Sequence, residues 1–357
     1  MIRILDRYIA RSIILSTLLT GFVITGVLFL LSMLAELKNI GEGDYGLWQA
    51  VQFVIMRMPN QIYQFTPMLI LLGSMIGLSL LSSYRELSVM RAAGFSTQQI
   101  TRCVIKAALI MILLLTAMGE LFAPNLSFNA ETRKENAQNA GQAVITASGV
   151  WFHVDNNFIH VDRVVGRQLL EGVTRYQFDN QHRLQESFYA KKLVFENGKW
   201  SMIDVVKTSF YHDRTRSASI PKADWNIKLN LNLLNVGLVD PNEMTLGKLK
   251  KFATYLEQNG LQPTEYQYEF WQRIFKPFAA IIMVLLAIPF VLGTLSTSAL
   301  GWRIVVGILV GFVFYISNSL LGELSIVYQV PPFFAALLPL IVFMLITVYL
   351  TRQLIRR

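Results

Sequence analysis

Apolar positions along this 357-residue chain gather into six long runs, three before residue 124 and three after residue 269. A helix needs about 20 residues to cross a bilayer core, and the runs at 13–34, 62–81, 104–122, 275–295, 304–321 and 333–350 all approach that length. Six membrane-spanning helices are expected. Between the third and fourth runs the period drops to two, with Val150, Phe152 and Val154 alternating with Trp151, His153 and Asp155, as in a half-buried strand. Asp155-Asn156-Asn157 offers a turn into a second strand over 158–164, and Glu196-Asn197-Gly198-Lys199 joins strand-like runs at 192–195 and 200–206. Asn-Gly suits the type I′ turn of a hairpin. Short strands with close turns indicate an antiparallel sandwich, jelly roll or open barrel. Leu246, Leu249, Phe252 and Leu256 then return to helical spacing before Gly260, so an amphipathic connector helix leads back toward the fourth span. Thr264 with Gln267 fits a capping box there.

Charge sets the expected orientation. Arg3, Arg7 and Arg11 precede the first span, Arg85, Arg91 and Arg102 separate the second from the third, Arg303 flanks the later runs, and Arg352, Arg356 and Arg357 close the chain. This is the positive-inside distribution, which places both termini in the cytoplasm and the stretch 124–263 outside. The net charge of +9 therefore reads as topology and not as a nucleic-acid footprint. A hydrophobic fraction of 53% against 15% charged residues agrees with a membrane protein. The first run is too long for a cleaved signal and lacks a small-residue cleavage site, so it reads as a retained anchor. Cys103, the lone cysteine, excludes an intrachain disulfide framework.

Chemistry is sparse. The chain holds no phosphate-binding loop, no H-E-x-x-H and no G-x-S-x-G, which argues against a catalytic subunit and for no cofactor. His153 and His160 face alike across a hairpin, but no cysteine or spaced carboxylate completes a metal site, so polar strand residues are the plainer reading. Glu120 and Glu323 lie at outer span ends and read as interfacial.

The cytoplasmic stretch 82–100 is the one substantial inner feature besides the tails. Ser83 with Glu86 and Ser96 with Gln99 both fit capping boxes, and Gly94 is a natural helix stop. A short helix across the inner membrane face is expected over about 83–94, with Leu87 and Met90 apolar and Arg85, Ser88 and Arg91 polar. Glu86 either caps this helix or meets a soluble motor.

Leu5-Asp6-Arg7-Tyr8-Ile9, the run Arg-Glu-Leu-Ser-Val-Met-Arg-Ala-Ala-Gly-Phe at 85–95, Gly119-Glu120 with Ala123-Pro124, the stretch 271–277, and Gly311-Phe312-Val313-Phe314-Tyr315 together resemble the LptF/LptG permeases of lipopolysaccharide export. The order and spacing fit over essentially the whole chain, and the stretch 36–45 favours the LptG branch. The resemblance implies an α-helical integral membrane protein with six transmembrane helices plus a periplasmic all-β, jellyroll-like domain. Its divisions would be 1–123 with the coupling helix, 124–263 for the β domain with its connector, and 264–357. It also implies a bacterial inner-membrane location and these partners: an LptF-like sibling permease, an LptB-like cytoplasmic ATPase dimer, LptC- and LptA-like periplasmic jellyroll and bridge proteins, and lipopolysaccharide. Glu86 would lie on the helix that couples to the ATPase, beside Leu87, Met90 and Arg91.

Lys38 matches one of the family's basic positions that meet lipid A phosphates, Ser32 and Asn39 replace two others, and Arg133 with Lys134 adds charge beyond the third span. An acylated, phosphorylated glycolipid needs an apolar cavity with cations at its rim. Phe22, Val27 and Phe29 on the first span, Phe65 and Met68 on the second, and Ile308, Phe312 and Tyr315 on the fifth are candidates to line it. Pro67, Gly73 and Gly77 would allow a bend and close helix approach. Beyond the membrane, an open β sandwich would shield acyl chains, and an unpaired edge would extend by strand addition. Two other readings stay open: a different lipid- or lipoprotein-extracting permease, against which the six spans count, and a signal-transducing receptor, which would need a cytoplasmic output domain.

Overall fold

The computed structural model describes residues 4–138, 144–154, 157–165, 169–179, 183–196, 199–211, 214–225, 240–258, 261–294 and 299–356. The first half forms α1 (Ile4–Glu36), α2 (Leu47–Gln64), α3 (Thr66–Ser83), α4 (Glu86–Ala92), α5 (Thr97–Ala117) and, after a π-helical turn at Met118–Phe122, α6 (Ala123–Gln138). Six strands follow: β1 (Val144–Val154), β2 (Asn157–Val165), β3 (Leu169–Phe178), β4 (Leu184–Glu196), β5 (Lys199–Phe210) and β6 (Thr215–Trp225). The second half contributes α7 (Leu246–Gln258), α8 (Thr264–Pro289), α9 (Leu300–Tyr328) and α10 (Pro332–Arg356). Among the described residues, six helical stretches are long and apolar enough to cross a membrane, one in each expected place.

α3 and α8 form the centre of the bundle. About 72% of the apolar window of α3 is buried, against 22% for α1 and 17% for α9, so the last two present long apolar faces outward. α1 meets α3 closely because a Cβ at Gly73 would lie 2.2 Å from Thr17 Oγ1 and one at Gly77 2.9 Å from Ile13 Cδ1. The glycines thus serve the close approach expected of them. Pro67 acts differently. The chain breaks at Phe65 (φ −88°, ψ 7°), and Pro67 sits in the opening turn of α3, where its missing N–H costs nothing. The run at 62–81 is therefore divided between two helices, the end of α2 and most of α3.

Of the three expected capping boxes, one forms. Ser96 Oγ accepts from the Gln99 N–H while Gln99 Oε1 accepts from the Ser96 N–H, opening α5. Ser83 instead ends α3, and Arg85 precedes α4 in a left-handed conformation (φ 59°) without a side-chain cap. Thr264 already lies in the first turn of α8, whose Gln267 N–H goes to the Pro263 carbonyl. Gly94 is the helix stop: at φ 90° it lets the Phe95 N–H reach the Met90 carbonyl and its own N–H reach Arg91, a Schellman ending for α4.

The strands pair in sequence order as one antiparallel meander. Val154 pairs with Asn157 and Glu196 with Lys199, which brackets both expected turns; residues 155–156 and 197–198 themselves lie outside the described residues, as does Gly260. Ile159, Val161, Leu170, Val173, Leu193, Trp200, Met202 and Val205 share the buried face. Their alternation skips a residue at Gly172 (φ 64°) and again at Asp204 (φ 54°). A Cβ at Gly172 would lie 2.0 Å from Asp162 Oδ2, so this row of the sheet requires glycine. Among the described strands β6 is the outermost; it is exposed and carries Pro221, which such a position tolerates. In α7, Leu249 and Phe252 are buried as the helical spacing anticipated.

Candidate functional site

The first candidate region is α4. Leu87 and Met90 are buried in the main bundle core together with Ile9, Leu78, Ile100 and Val104. The apolar face of α4 thus seats the helix on its own protein. The opposite face carries Arg85, Ser88, Val89 and Arg91, with Val89 66% exposed, and Tyr84 beside it is 74% exposed. These two bare apolar side chains escaped the sequence reading, because a lone exposed valine or tyrosine has no periodicity of its own. Glu86 stands at the edge between the faces, where the Tyr8 hydroxyl donates to its Oε1 over 2.9 Å. α4 is consequently tied to α1 as well as to the ends of α3 and α5.

The second region lies where α1, α2 and α6 end together. Lys134 Nζ bonds Glu36 Oε1 at 2.7 Å, and the same carboxylate accepts from Asn39 (2.9 Å) and from the Tyr45 hydroxyl (3.2 Å). Lys134 also lies 4.5 Å from the centroid of the Phe53 ring. Glu36 is buried, so this lysine is spent on neutralising it. Burial, with the charge of Glu36, pushes the Tyr45 hydroxyl far above its usual range, keeping it a donor. Lys38 and Arg133 remain exposed, without an ion pair among the described residues. Of the three expected head-group cations, two are therefore accessible.

A buried ionic network next to it was not foreseen. Glu120, read from sequence as interfacial, sits in the π-helical turn and bonds Arg273 Nη1 at 2.9 Å, the arginine side chain being only 2% exposed. The Tyr63 hydroxyl donates to the same carboxylate over 3.2 Å, its ring packed where a Cβ at Gly119 would come within 2.1 Å. Arg273 Nη2 donates to the Asn242 carbonyl (2.7 Å), and Arg57 Nε donates to Glu243 Oε1 (2.8 Å). Residues 241–243, the segment that follows the β domain, are thereby fastened to α2 and α8. Burial pushes the Glu243 carboxyl above the usual range, with Arg57 opposing the shift.

The expected cavity residues divide. Phe65, Met68 and Tyr315 line a cavity between α3, α8, α9 and α10, with Phe65 and Tyr315 stacked at 4.9 Å and 18°. Phe22 is 81% exposed on α1 and Phe312 53% exposed on α9; Ile308 shares the exposed face of α9, as Val27 does that of α1. Phe29 packs toward Phe53, Val54 and Met58 of α2. The candidates thus mark an inner cavity, two outward apolar faces and one helix contact. Of the two histidines considered as a metal pair, His160 has its Nδ1 3.2 Å from Asp162 Oδ1, while the His153 side chain is outside those described.

Comparison with known proteins gives a consistent result. Residues 7–353 match the family described as "Lipopolysaccharide export system permease LptF/LptG". The chain is 33% identical to the lipopolysaccharide export system permease protein LptG of Escherichia coli strain K12 over 97% of both chains. It is 32% identical to the protein of the same name from Haemophilus influenzae strain Rd over 96% of both.

Proposed function

The chain belongs to the LptF/LptG family of lipopolysaccharide export permeases, and from that premise we propose how its parts divide the work of lifting the lipid out of the inner membrane. It is a permease subunit, an integral protein of the inner membrane that carries a transport step. In our reading both termini and α4 face the cytoplasm, and β1–β6 stand in the periplasm as part of a jellyroll-like domain.

The observation that carries the proposal is the two-sided character of α4. Leu87 and Met90 root it in the core, while Arg85, Ser88, Val89 and Arg91 are left outward. A helix so rooted transmits displacement to α1, α3 and α5 and leaves a free face for a motor. We assign that motor to a separate cytoplasmic ATPase dimer, to which Glu86 and Arg91 present opposite charges. The outward apolar faces of α1, with Phe22 and Val27, and of α9, with Ile308 and Phe312, suit acyl chains enclosed against a sibling permease. At their outer end Lys38 and Arg133 suit phosphate, through charge-assisted hydrogen bonds. Lys134 supports the rim by holding Glu36. The clamp of residues 241–243 on α2 and α8 then ties the β domain to the helices that move, so that lipid leaving the enclosure between α1, α9 and the sibling permease meets the apolar face of the sheet. From there the β6 edge suits strand addition by a periplasmic bridge.

Purification of the tagged chain in mild detergent tests the assignment. A second permease, an ATPase and lipopolysaccharide are expected to co-purify, and adding ATP with a soluble periplasmic acceptor should move lipopolysaccharide to the acceptor. Recovery of an ATPase with a different lipid cargo, or no ATPase, would refute it.

A further inference from the structure

The cavity between α3, α8, α9 and α10 has a volume of about 220 Å³ and two kinds of wall. Glu265, Glu269 and Glu323 line the end nearest the start of α8, whereas Met68, Phe314 and Leu340 line the other. Glu269 is nine-tenths buried and makes no hydrogen bond or ion pair within 4 Å among the described residues. Among the cations along α8, Lys276 and Arg273 offset the charge of Glu269 from beyond hydrogen-bond distance. Arg273 is held by Glu120 and the Asn242 carbonyl, and Lys276 Nζ lies 4.3 Å from the centre of the Tyr63 ring. Three carboxylates thus line the cavity against one ammonium. The walls are fixed. The Tyr268 hydroxyl donates to the Asn318 carbonyl over 2.6 Å, and Gly311 and Gly322 let α9 approach within contact of Met68 and Tyr268.

A buried carboxylate without a hydrogen-bond donor is costly, and an ammonium entering the cavity supplies the missing donor together with a closer charge. We propose that this cavity is a second ligand site, which takes the primary ammonium head of a single-chain amphiphile, its nitrogen on Glu269 and its chain along Met68, Phe314 and Leu340. The volume admits a small head with a chain segment and excludes a glycolipid with many chains. The site lies within one subunit, apart from Lys38, Arg133 and the outward face of α1, and does not depend on the head-group reading given to those residues.

The test is a titration of the purified transporter complex with radiolabelled dodecylamine at pH 7 in maltoside detergent. One saturable site is expected to lose affinity by about tenfold or more in Glu269→Gln, as loss of a charge-assisted hydrogen bond requires. Leu340→Trp, which fills the apolar end, should also weaken it, and dodecyl sulfate and dodecanol should compete poorly. The thermal midpoint of Glu269→Gln without amine should stay close to that of the unaltered complex, which separates loss of binding from loss of fold. No saturable site in the unaltered complex, full affinity in Glu269→Gln, or equal competition by dodecyl sulfate, would overturn the proposal, the last by assigning the site to an anion on Lys276. Co-purified lipopolysaccharide should be unchanged in Glu269→Gln. Its loss from a Lys38 variant bears on the transport reading alone.

Discussion

The Tyr8 hydroxyl donates to Glu86 across 78 positions of sequence and joins the first turns of α1 to the start of α4. Neither residue is buried deeply enough for the bond to matter much to stability, and both stand where a displaced α4 would first act on α1. Tyr8→Phe keeps the ring and removes the donor, so ATPase association should persist while lipid transported per ATP falls. Glu86→Gln retains an acceptor for Tyr8 and should be milder than Glu86→Arg, which should abolish export and weaken ATPase binding. Normal export by Glu86→Arg at normal protein levels would remove the residue from coupling.

Lys38 and Lys134 should behave in opposite ways. Lys134→Met strands the buried Glu36 carboxylate, and breaking a buried pair from one side costs about 3 kcal/mol. A lowered thermal midpoint, with head-group affinity intact in the fraction that folds, is the expected result. Lys38→Glu should leave the midpoint unchanged and reduce retained lipopolysaccharide, more at low salt than at high salt because exposed charges are screened. Measured together, midpoint and lipid content separate a structural cation from a binding one.

The six spans were legible because crossing a bilayer imposes a length that hydropathy records directly. The break at Phe65 was not, since the apolar run continues unchanged through it and only Pro67 marks the new helix. Leu87 and Met90 show a second limit. An amphipathic pattern identifies an apolar face but not what covers it, and here the covering is the protein's own core. The pairs Arg273 with Glu120 and Arg57 with Glu243 span 153 and 186 positions, so no local pattern announces them. β3 and β6 also escaped notice. The alternation of β3 is broken at Gly172, and β6 is a mostly polar edge strand with little apolar face to reveal it.

Gly73 should be far less replaceable than Gly26. The Cβ of Gly73→Ala would lie 2.5 Å from the Thr17 Cα, a backbone atom that cannot swing aside, whereas a Cβ at Gly26 has nothing within 4 Å. Overpacking of this kind costs about 1–3 kcal/mol. Thermal unfolding in detergent should therefore show a lower midpoint for Gly73→Ala and an unchanged or raised one for Gly26→Ala.

The Arg57 and Glu243 pair yields a pH dependence of defined sign. Burial raises the folded pKa of Glu243 above its unfolded value of 4.5. Its contribution to stability is then fully present below pH 4.5 and declines as pH rises through the folded pKa. The stability difference between the unaltered protein and Glu243→Gln should shrink from pH 4.5 toward pH 8. A difference that grows over that interval would show Arg57 outweighing burial.

Orientation is open to a direct measurement because the chain has one native thiol. Cys103 is buried, and its Sγ lies 3.0 Å from Asp6 Oδ1 in donor geometry, so Cys103→Ser preserves a donor and gives a silent background. Val89→Cys on α4 and Ser217→Cys on β6 then place reporters at exposed positions on either side of the expected membrane. The arginines that flank the first, second and third spans predict Val89→Cys inside and Ser217→Cys outside. A membrane-impermeant maleimide applied to cells with a permeabilised outer membrane should label Ser217→Cys at once and Val89→Cys only after lysis. Labelling of both before lysis, or of Val89→Cys alone, would contradict the orientation on which the roles of α4 and the β domain rest.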